Sequence, residues 1–363
     1  MITVIYSFNK QGYEADFWSR EIAAASDHRT RFVPFNHDPY LPPQRYTRAQ
    51  LLDNLYYARD ASIEKLYANI RQVILEENAD GLIVDTCAPY HPEFLKSLDV
   101  YKVLRTSDGP MSSYDRDFAY LHAYDLVLYH SPAYSRDMTM IEKLRYCRAD
   151  RCELWPLGVF DAAFDPEMPE ETLFSRERDI DIVFVGALHP NKMELLAKVK
   201  RSFGKRFVLH GLSSVKRNIY FNAKFGLPGW VQPLGFENYV PLYQRAKIGI
   251  NIHNRGKYTV GGFRLFELPA NGVMQISDGG EYLDTFFEPG REIVGYENAD
   301  ELIDKLRYFL EHDDERTSIA RSGYHRAMRD HRIVDRLKEA GRLIAEGILS
   351  DGRRGKSRHL ADE

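Results

Sequence analysis

Asp181-Ile182-Val183-Phe184-Val185-Gly186, continued by Ala187-Leu188-His189-Pro190-Asn191-Lys192, is a short apolar, β-branched run closed by a glycine and a loop that opens a helix. A strand of this kind belongs in a parallel sheet, where both faces are covered and helices join one strand to the next. The same alternation recurs outward in both directions. Toward the C-terminus, Phe207–His210, Ile248–Ile252, Val273–Ser277 and Glu292–Val294 read as strands, and Asp300–Glu311, Asp314–Asp330 and Ile333–Leu349 as helices. Toward the N-terminus lies the acidic, proline-punctuated link Pro166-Glu167-Met168-Pro169-Glu170-Glu171. Before it, strands are expected at Thr3–Tyr6, Arg31–Pro34, Gly81–Asp85, Lys102–Arg105, Leu126–Tyr129 and Glu153–Trp155, with helices over Glu14–Ala25, Arg48–Leu75, Pro92–Leu98 and Ser135–Tyr146. The pattern predicts an α/β chain of two doubly wound domains facing a central cleft: residues 1–165, a linker at 166–178 and residues 179–350, followed by a loose polar tail at 351–363.

Composition supports two domains, since 363 residues at 44% hydrophobic content leave neither short of core. No apolar run approaches the roughly 18 residues that cross a bilayer. Met1-Ile2-Thr3-Val4-Ile5-Tyr6 enters a strand-like run with no basic, apolar, cleavable leader, so a cytoplasmic protein is expected. Net charge is −4, and residues 1–165 hold 18 Lys and Arg against 24 Asp and Glu. That balance argues against nucleic acid as the main ligand, because phosphate-backbone binding needs a concentrated basic face. Cys87, Cys147 and Cys152 are too few and too irregularly spaced for a disulfide framework or a zinc knuckle.

Ligands of open parallel sheets sit beyond the carboxyl ends of the strands, so chemistry is sought just after each one. Gly186 makes the first such turn, and Lys192 is placed to reach a phosphate, or is a solvated first-turn residue. Gln232-Pro233-Leu234-Gly235 is a turn before a helix that can hold a base through the backbone at Gln232 and Leu234, or an ordinary connection. Asn251-Ile252-His253-Asn254-Arg255-Gly256-Lys257 runs into Gly261-Gly262 and the short helix bearing Arg264 and Glu267. There, backbone N–H groups free of side-chain bulk can face an anion, Arg255, Lys257 and Arg264 can neutralise a diphosphate, and Glu267 can accept from ribose hydroxyls. In the first domain, Ser107-Asp108-Gly109-Pro110 offers Asp108 as a general base, or as a turn former, and His91 is a second candidate base. Ser7-Phe8-Asn9-Lys10-Gln11-Gly12-Tyr13 has one glycine where a dinucleotide fingerprint needs three. Asp115-Arg116-Asp117 and Asp179-Ile180-Asp181 stand in a helical stretch and at a strand entry, and no His-Glu spacing suggests a metal, so no metal ligand is expected.

These residues carry a resemblance. Glu267-Leu268-Pro269-Ala270-Asn271-Gly272, Gly235-Phe236 with Leu242-Tyr243-Gln244-Arg245-Ala246, and Trp155-Pro156-Leu157-Gly158-Val159-Phe160 with Phe164-Asp165-Pro166 resemble GT-B glycosyltransferases of the family 4 type. Arg264-Leu265-Phe266-Glu267 is similar to the Arg-x-Phe-Glu signature of the CgeB-like branch, with further likeness over Phe286–Val294. The likeness spans about Asp181 to Arg336 and thins before Leu126. It implies a GT-B fold of two Rossmann-like domains, acceptor-side first and nucleotide-sugar-binding second, with C-terminal helices packing back toward the first. It also implies Glu267 at the donor ribose, Gly261-Gly262 and Arg264 at the diphosphate, and Lys192 as a further phosphate-binding residue. One position departs: where many relatives place a second glutamate, eight residues before the ribose-binding one, this chain has Thr259.

The activity so implied is sugar transfer from a nucleoside diphosphate, UDP or GDP type, to an acceptor hydroxyl on a glycan, protein or small molecule. Arg264, with Lys192 or Lys257, would stabilise the leaving diphosphate without a metal or any tightly bound cofactor. If stereochemistry inverts, Asp108 or His91 takes the acceptor proton; if it is retained, the leaving phosphate can. A nucleotide-sugar epimerase on the same fold and a non-catalytic donor-binding regulator are the alternatives. A peripheral membrane contact is compatible with the sequence; a transmembrane segment is not expected.

Overall fold

The computed structural model describes residues 1–41, 48–85, 89–106, 115–135, 137–253 and 261–352. The chain divides into two compact units, one of Met1–Pro156 with the residues from Ile333 onward, the other of Leu157–Arg332. In the first unit β1 (Ile2–Phe8), α1 (Tyr13–Ala24), β2 (Thr30–Asn36), α2 (Ala49–Tyr57), α3 (Ala61–Glu76), β3 (Gly81–Asp85), α4 (Pro92–Lys96), β4 (Tyr101–Thr106), α5 (Asp115–Ala119) and β5 (Leu126–Tyr129) follow in order. A small antiparallel ladder, β6 (Ala133–Ser135) with β7 (Met138–Thr139), then leads through α6 (Met140–Tyr146) to β8 (Cys152–Leu154). The sheet runs β2-β1-β3-β4-β5-β8, parallel throughout. Its central strand β3 is buried along its whole length, which is why that segment reads as an unbroken apolar run.

Two helices differ from expectation. The stretch Arg48–Leu75 is broken between α2 and α3, where Arg59 takes a left-handed φ of 53° and the Asp60 carboxylate accepts from the Ser62 N–H at 3.0 Å. Ser135–Tyr146 starts as the β6–β7 ladder, and its helix begins at Met140 behind a capping box between Thr139 and Glu142.

The second unit holds α7 (Glu170–Ser175), β9 (Ile180–Val185), α8 (Pro190–Phe203), β10 (Phe207–His210), α9 (Val215–Phe225), α10 (Tyr239–Tyr243), β11 (Ala246–Asn251), α11 (Arg264–Ala270), β12 (Met274–Ser277), β13 (Val294–Gly295), α12 (Ala299–Glu311) and α13 (Asp313–Asp330). Its sheet runs β10-β9-β11-β12-β13, again all parallel. One face packs Phe184, Leu196, Phe221, Ile250 and Leu302, and the other Val183, Tyr243, Leu268 and Val273.

The unit boundaries differ from the expected 165/179 division. Residues 157–165 sit with the second unit: Val159 N–H donates to the His331 carbonyl at 2.8 Å, Arg332 pairs with Asp161 at 2.7 Å, and Asn271 donates to the Ala163 carbonyl at 2.8 Å. The expected linker is held in place. Leu173 is buried, and the Arg178 guanidinium donates to the carbonyls of Ala246 and Asn271 at 2.6 and 3.0 Å. The last helix, α14 (Ile333–Ser350), belongs to the first unit, while α12 and α13 stay with the second. Glycines permit the close approach: a Cβ at Gly341 would lie 2.7 Å from Thr30 Oγ1, and one at Gly347 2.3 Å from Tyr101 Oη. Trp155 Nε1 fastens the helix start by donating to the Arg336 carbonyl at 2.7 Å.

Candidate functional site

In the second sheet the chain leaves β9 for β10 on one side and returns to β11 on the other. The loops after β9 and β11 therefore diverge, and the crevice between them is where such sheets bind ligands. Gly186, directly after β9, is required there: a Cβ would stand 1.8 Å from Arg264 Nη2. Gly211, after β10, is equally confined, since its Cβ would lie 2.4 Å from the Gly186 carbonyl oxygen.

The glycine lets Arg264 cross from the start of α11 to both strand ends. Its Nε donates to the Val185 carbonyl at 2.5 Å, and its Nη1 to Asn251 Oδ1 at 3.2 Å. Its guanidinium carbon lies 4.6 Å from the centre of the Phe184 ring, and Lys192 Nζ lies 5.9 Å from the same centre. Lys192 is only 1% exposed. Loss of water, then the Arg264 charge, pushes its ammonium down to about 7, with Asp278 opposing. Two cations thus share one aromatic ring at the carboxyl edge of the sheet.

Two carboxylates, Asp278 and Glu267, stand near them. Asp278 accepts from the His253 N–H at 3.0 Å and from His253 Nδ1 at 2.7 Å. With Nδ1 donating, Nε2 faces Asn251 Nδ2 at 3.4 Å as acceptor, a tautomer assigned from the bonding, and Asn251 Oδ1 is left for Arg264. Glu267 is buried, and its carboxylate has no hydrogen-bond partner among the described residues. Burial pushes it up to about 7 against the pull of Arg264. Tyr296 Oη is buried without a hydrogen-bond partner among the described residues; burial, then the nearby Asp278 charge, raises its pKa, with Arg264 opposing. Sequence spacing assigns no role to Asn251, Asp278 or Tyr296, although Asn251 ends β11 and Asp278 and Tyr296 directly follow β12 and β13, the position that singles out Gly186.

The remaining expectations sort unevenly. Gly261 and Gly262 lead into α11, but the Leu265, Phe266 and Glu267 amides already bond to the carbonyls of Gly262 and Phe263 at 2.9 to 3.0 Å, so these three do not face an anion. Gln232 lies beside the end of β10, its carbonyl taking the Gly211 N–H at 3.2 Å, and Leu234 packs against the core. Asp181 is held by Arg206 and Lys247 at 2.5 and 2.7 Å, at the opposite end of β9 from the crevice. Asp108, Arg255, Lys257, Thr259 and Cys87 lie outside the described residues. His91, the second candidate base, has both ring nitrogens engaged. Its Nδ1 accepts from the Glu93 N–H at 3.2 Å, its Nε2 bonds Asp53 at 3.0 Å, and its ring stacks on Tyr56 at 3.9 Å. Burial, opposed by Asp53, lowers its pKa, so both nitrogens are occupied in a neutral ring.

Residues 192–341 match the family model described as glycosyl transferase-like. No curated protein matches the sequence. Among solved structures, a sucrose-phosphate synthase from Thermosynechococcus elongatus aligns at a TM-score of 0.61 and 12% identity, over 96% of this chain and 100% of its own. Anabaena HepE, solved with UDP-glucose, aligns at 0.60 and 14% over 96% and 100%. WaaG, a glycosyltransferase involved in lipopolysaccharide biosynthesis, aligns at 0.57 and 14% over 95% and 99%. The chain has the two Rossmann-like domains of GT-B glycosyltransferase structures. Among the described residues no helix is long and apolar enough to cross a membrane.

Proposed function

We propose that this protein is a glycosyltransferase of the CgeB-like branch of family 4, moving a sugar from a UDP- or GDP-type donor to an acceptor hydroxyl. The acceptor oxygen bonds to the anomeric carbon, the bond from that carbon to the β-phosphate oxygen breaks, and the nucleoside diphosphate leaves with the electron pair. The observation that carries the reading is the pair of basic side chains, Lys192 and Arg264, gathered over Phe184 at the switch point of a parallel sheet. A diphosphate bound there meets both, most strongly as the leaving group develops its negative charge. Glu267, buried one turn from Arg264, accepts from the ribose hydroxyls and so exchanges an unsatisfied carboxylate for a bonded one. In this reading Arg264 and the protonated form of Lys192 stabilise the diphosphate, and no metal is assigned to donor binding. The acceptor proton passes to Asp108 or to the leaving phosphate; His91 is not a base in this scheme.

The experiment is incubation with UDP-, GDP- and dTDP-sugars in EDTA, reading thermal shift and slow hydrolysis. Release of the free diphosphate is expected. A sugar isomer in place of free diphosphate would assign the chain to the epimerases that share this fold, and binding without turnover to a regulatory role. The absence of a shift with every nucleotide would overturn all three readings.

A further inference from the structure

From Leu195 to Phe236 the chain holds eight Lys and Arg and no Asp or Glu, in a protein of net charge −4. Two of these cations are neutralised from elsewhere, Arg206 by Asp181 at 2.5 Å and Lys198 by Asp300 at 2.6 Å. Lys200, Arg201, Lys205, Lys216, Arg217 and Lys224 have no carboxylate partner among the described residues. The same segment leaves large apolar side chains in water: Leu212 is 72% exposed, Val215 63%, Ile219 57%, Tyr220 42% and Trp230 56%.

The fold explains why they stand outside. Helix α9 turns Asn218 and Phe221 inward and leaves Val215 and Ile219, one turn apart, exposed on its flank, bordered by Lys216, Tyr220 and Lys224. Asn218 clamps Val231 through both its N–H, at 2.8 Å, and its carbonyl, at 3.2 Å, and Asn222 donates to the Gly229 carbonyl at 3.0 Å. Trp230 is thereby held beside α9 and away from the core. Lys224 Nζ lies 5.3 Å from the Tyr220 ring centre, so its apolar stem lies along the aromatic face.

A single occupant suits both features. A second copy of the chain would set these cations against themselves. A nucleic acid would neutralise them but leave Leu212, Val215 and Ile219 in water. An anionic bilayer takes the apolar side chains into its acyl boundary, seats Trp230 at headgroup level and pairs the lysines with lipid phosphates. We propose that α9, with Leu212 before it and Trp230 after it, docks this protein peripherally on an anionic lipid surface. Arg217 Nη2 donates to the Leu188 carbonyl at 2.9 Å, so the docking face borders the loop after β9.

The protein carries its own reporter, because Trp18 and Trp155 are 2% and 1% exposed and only Trp230 can change solvent on docking. The full chain is mixed with phosphatidylcholine vesicles, with or without about 30 mol % phosphatidylglycerol, and followed by sedimentation and tryptophan emission. The expected result is pelleting with the anionic vesicles alone, reversed by high salt, together with a blue shift of emission. Lys216→Glu with Lys224→Glu lowers vesicle affinity at least about tenfold, and Trp230→Phe abolishes the blue shift while pelleting persists. These positions are exposed, so circular dichroism of the variants matches the parent. No pelleting, pelleting without a change in emission, unaltered binding by the double charge reversal, or self-association that the reversal strengthens would each overturn the proposal. None of these readouts depends on the nucleotide site.

Discussion

Both units place buried cations over aromatic rings near the carboxyl end of a parallel sheet, and they treat them in opposite ways. In the first, Arg105 lies 5.4 Å from the Trp18 ring centre and 5.1 Å from that of Trp155, and it is paired with Asp85 at 2.8 Å. One charge meets one charge, so the pair is closed in charge, although Arg105 Nε and Nη2 are buried without a hydrogen-bond partner among the described residues. In the second, Lys192 and Arg264 share Phe184, Asp278 is engaged by His253, and Glu267 is left without a partner. A buried cation therefore does not by itself mark a site. Groups held far from their ordinary pKa do, as Lys192 and Glu267 are, because that displacement costs free energy and a charged ligand can relieve it.

The comparison breaks most severely at Arg105. Arg105→Met takes the guanidinium away from the buried Asp85 carboxylate and should cost about 3–5 kcal/mol, read as loss in the urea transition. An effect within experimental error would mean that the pair is not closed. Arg264→Ala should leave unfolding almost untouched and weaken UDP binding about 100-fold, roughly 3 kcal/mol, in a calorimetric titration. Gly186→Ala should act in the same direction, since the new methyl group takes the place of the guanidinium.

Glu267→Gln should raise stability by about 1–2 kcal/mol above pH 7 while weakening UDP binding about tenfold. The sign follows from its carboxyl, raised from 4.5 to about 7. Between those values the folded state keeps a proton that the unfolded state has lost, so the stability it confers is full below pH 4.5 and lost as pH rises through 7. Urea titrations of the variant should show that slope flattened. Lys192 gives a dependence of the opposite sign, its ammonium lowered from 10.5 to about 7. Stability should climb from pH 7 to 10.5 as the unfolded chain gives up its extra proton, and UDP affinity should fall over that range by at most about tenfold per pH unit. Lys192→Met should remove both trends.

Strand positions were legible because a parallel sheet buries both faces of each strand. The expected Phe207–His210 and Gly81–Asp85 coincide with the observed strands, and Asp181 lies one residue inside β9. The break at Arg59 was not legible, for no glycine or proline marks it and the Asp60 cap competes with an uninterrupted helical period. The apolar spacing of α14 identifies a helix without saying which sheet it covers. In the site, Arg264 and Glu267 could be singled out because they lie one turn apart beside glycines. Tyr296 was missed although it follows β13, because an aromatic residue there reads as core. The bond between His91 and Asp53 was not legible because the two lie 38 residues apart.

The sequence by itself determined the α/β class, the order of strands and helices, and the residue types able to hold a phosphate and a ribose. These are local properties, carried by apolar period, glycine placement and short spacings. Only the tertiary structure decided that Lys192, Phe184 and Arg264 meet, that Asp85 cancels Arg105, and that α14 joins the first unit. Charge balance and burial are sums over residues distant in sequence, and a chain acquires them only when its strands take their places in the sheet.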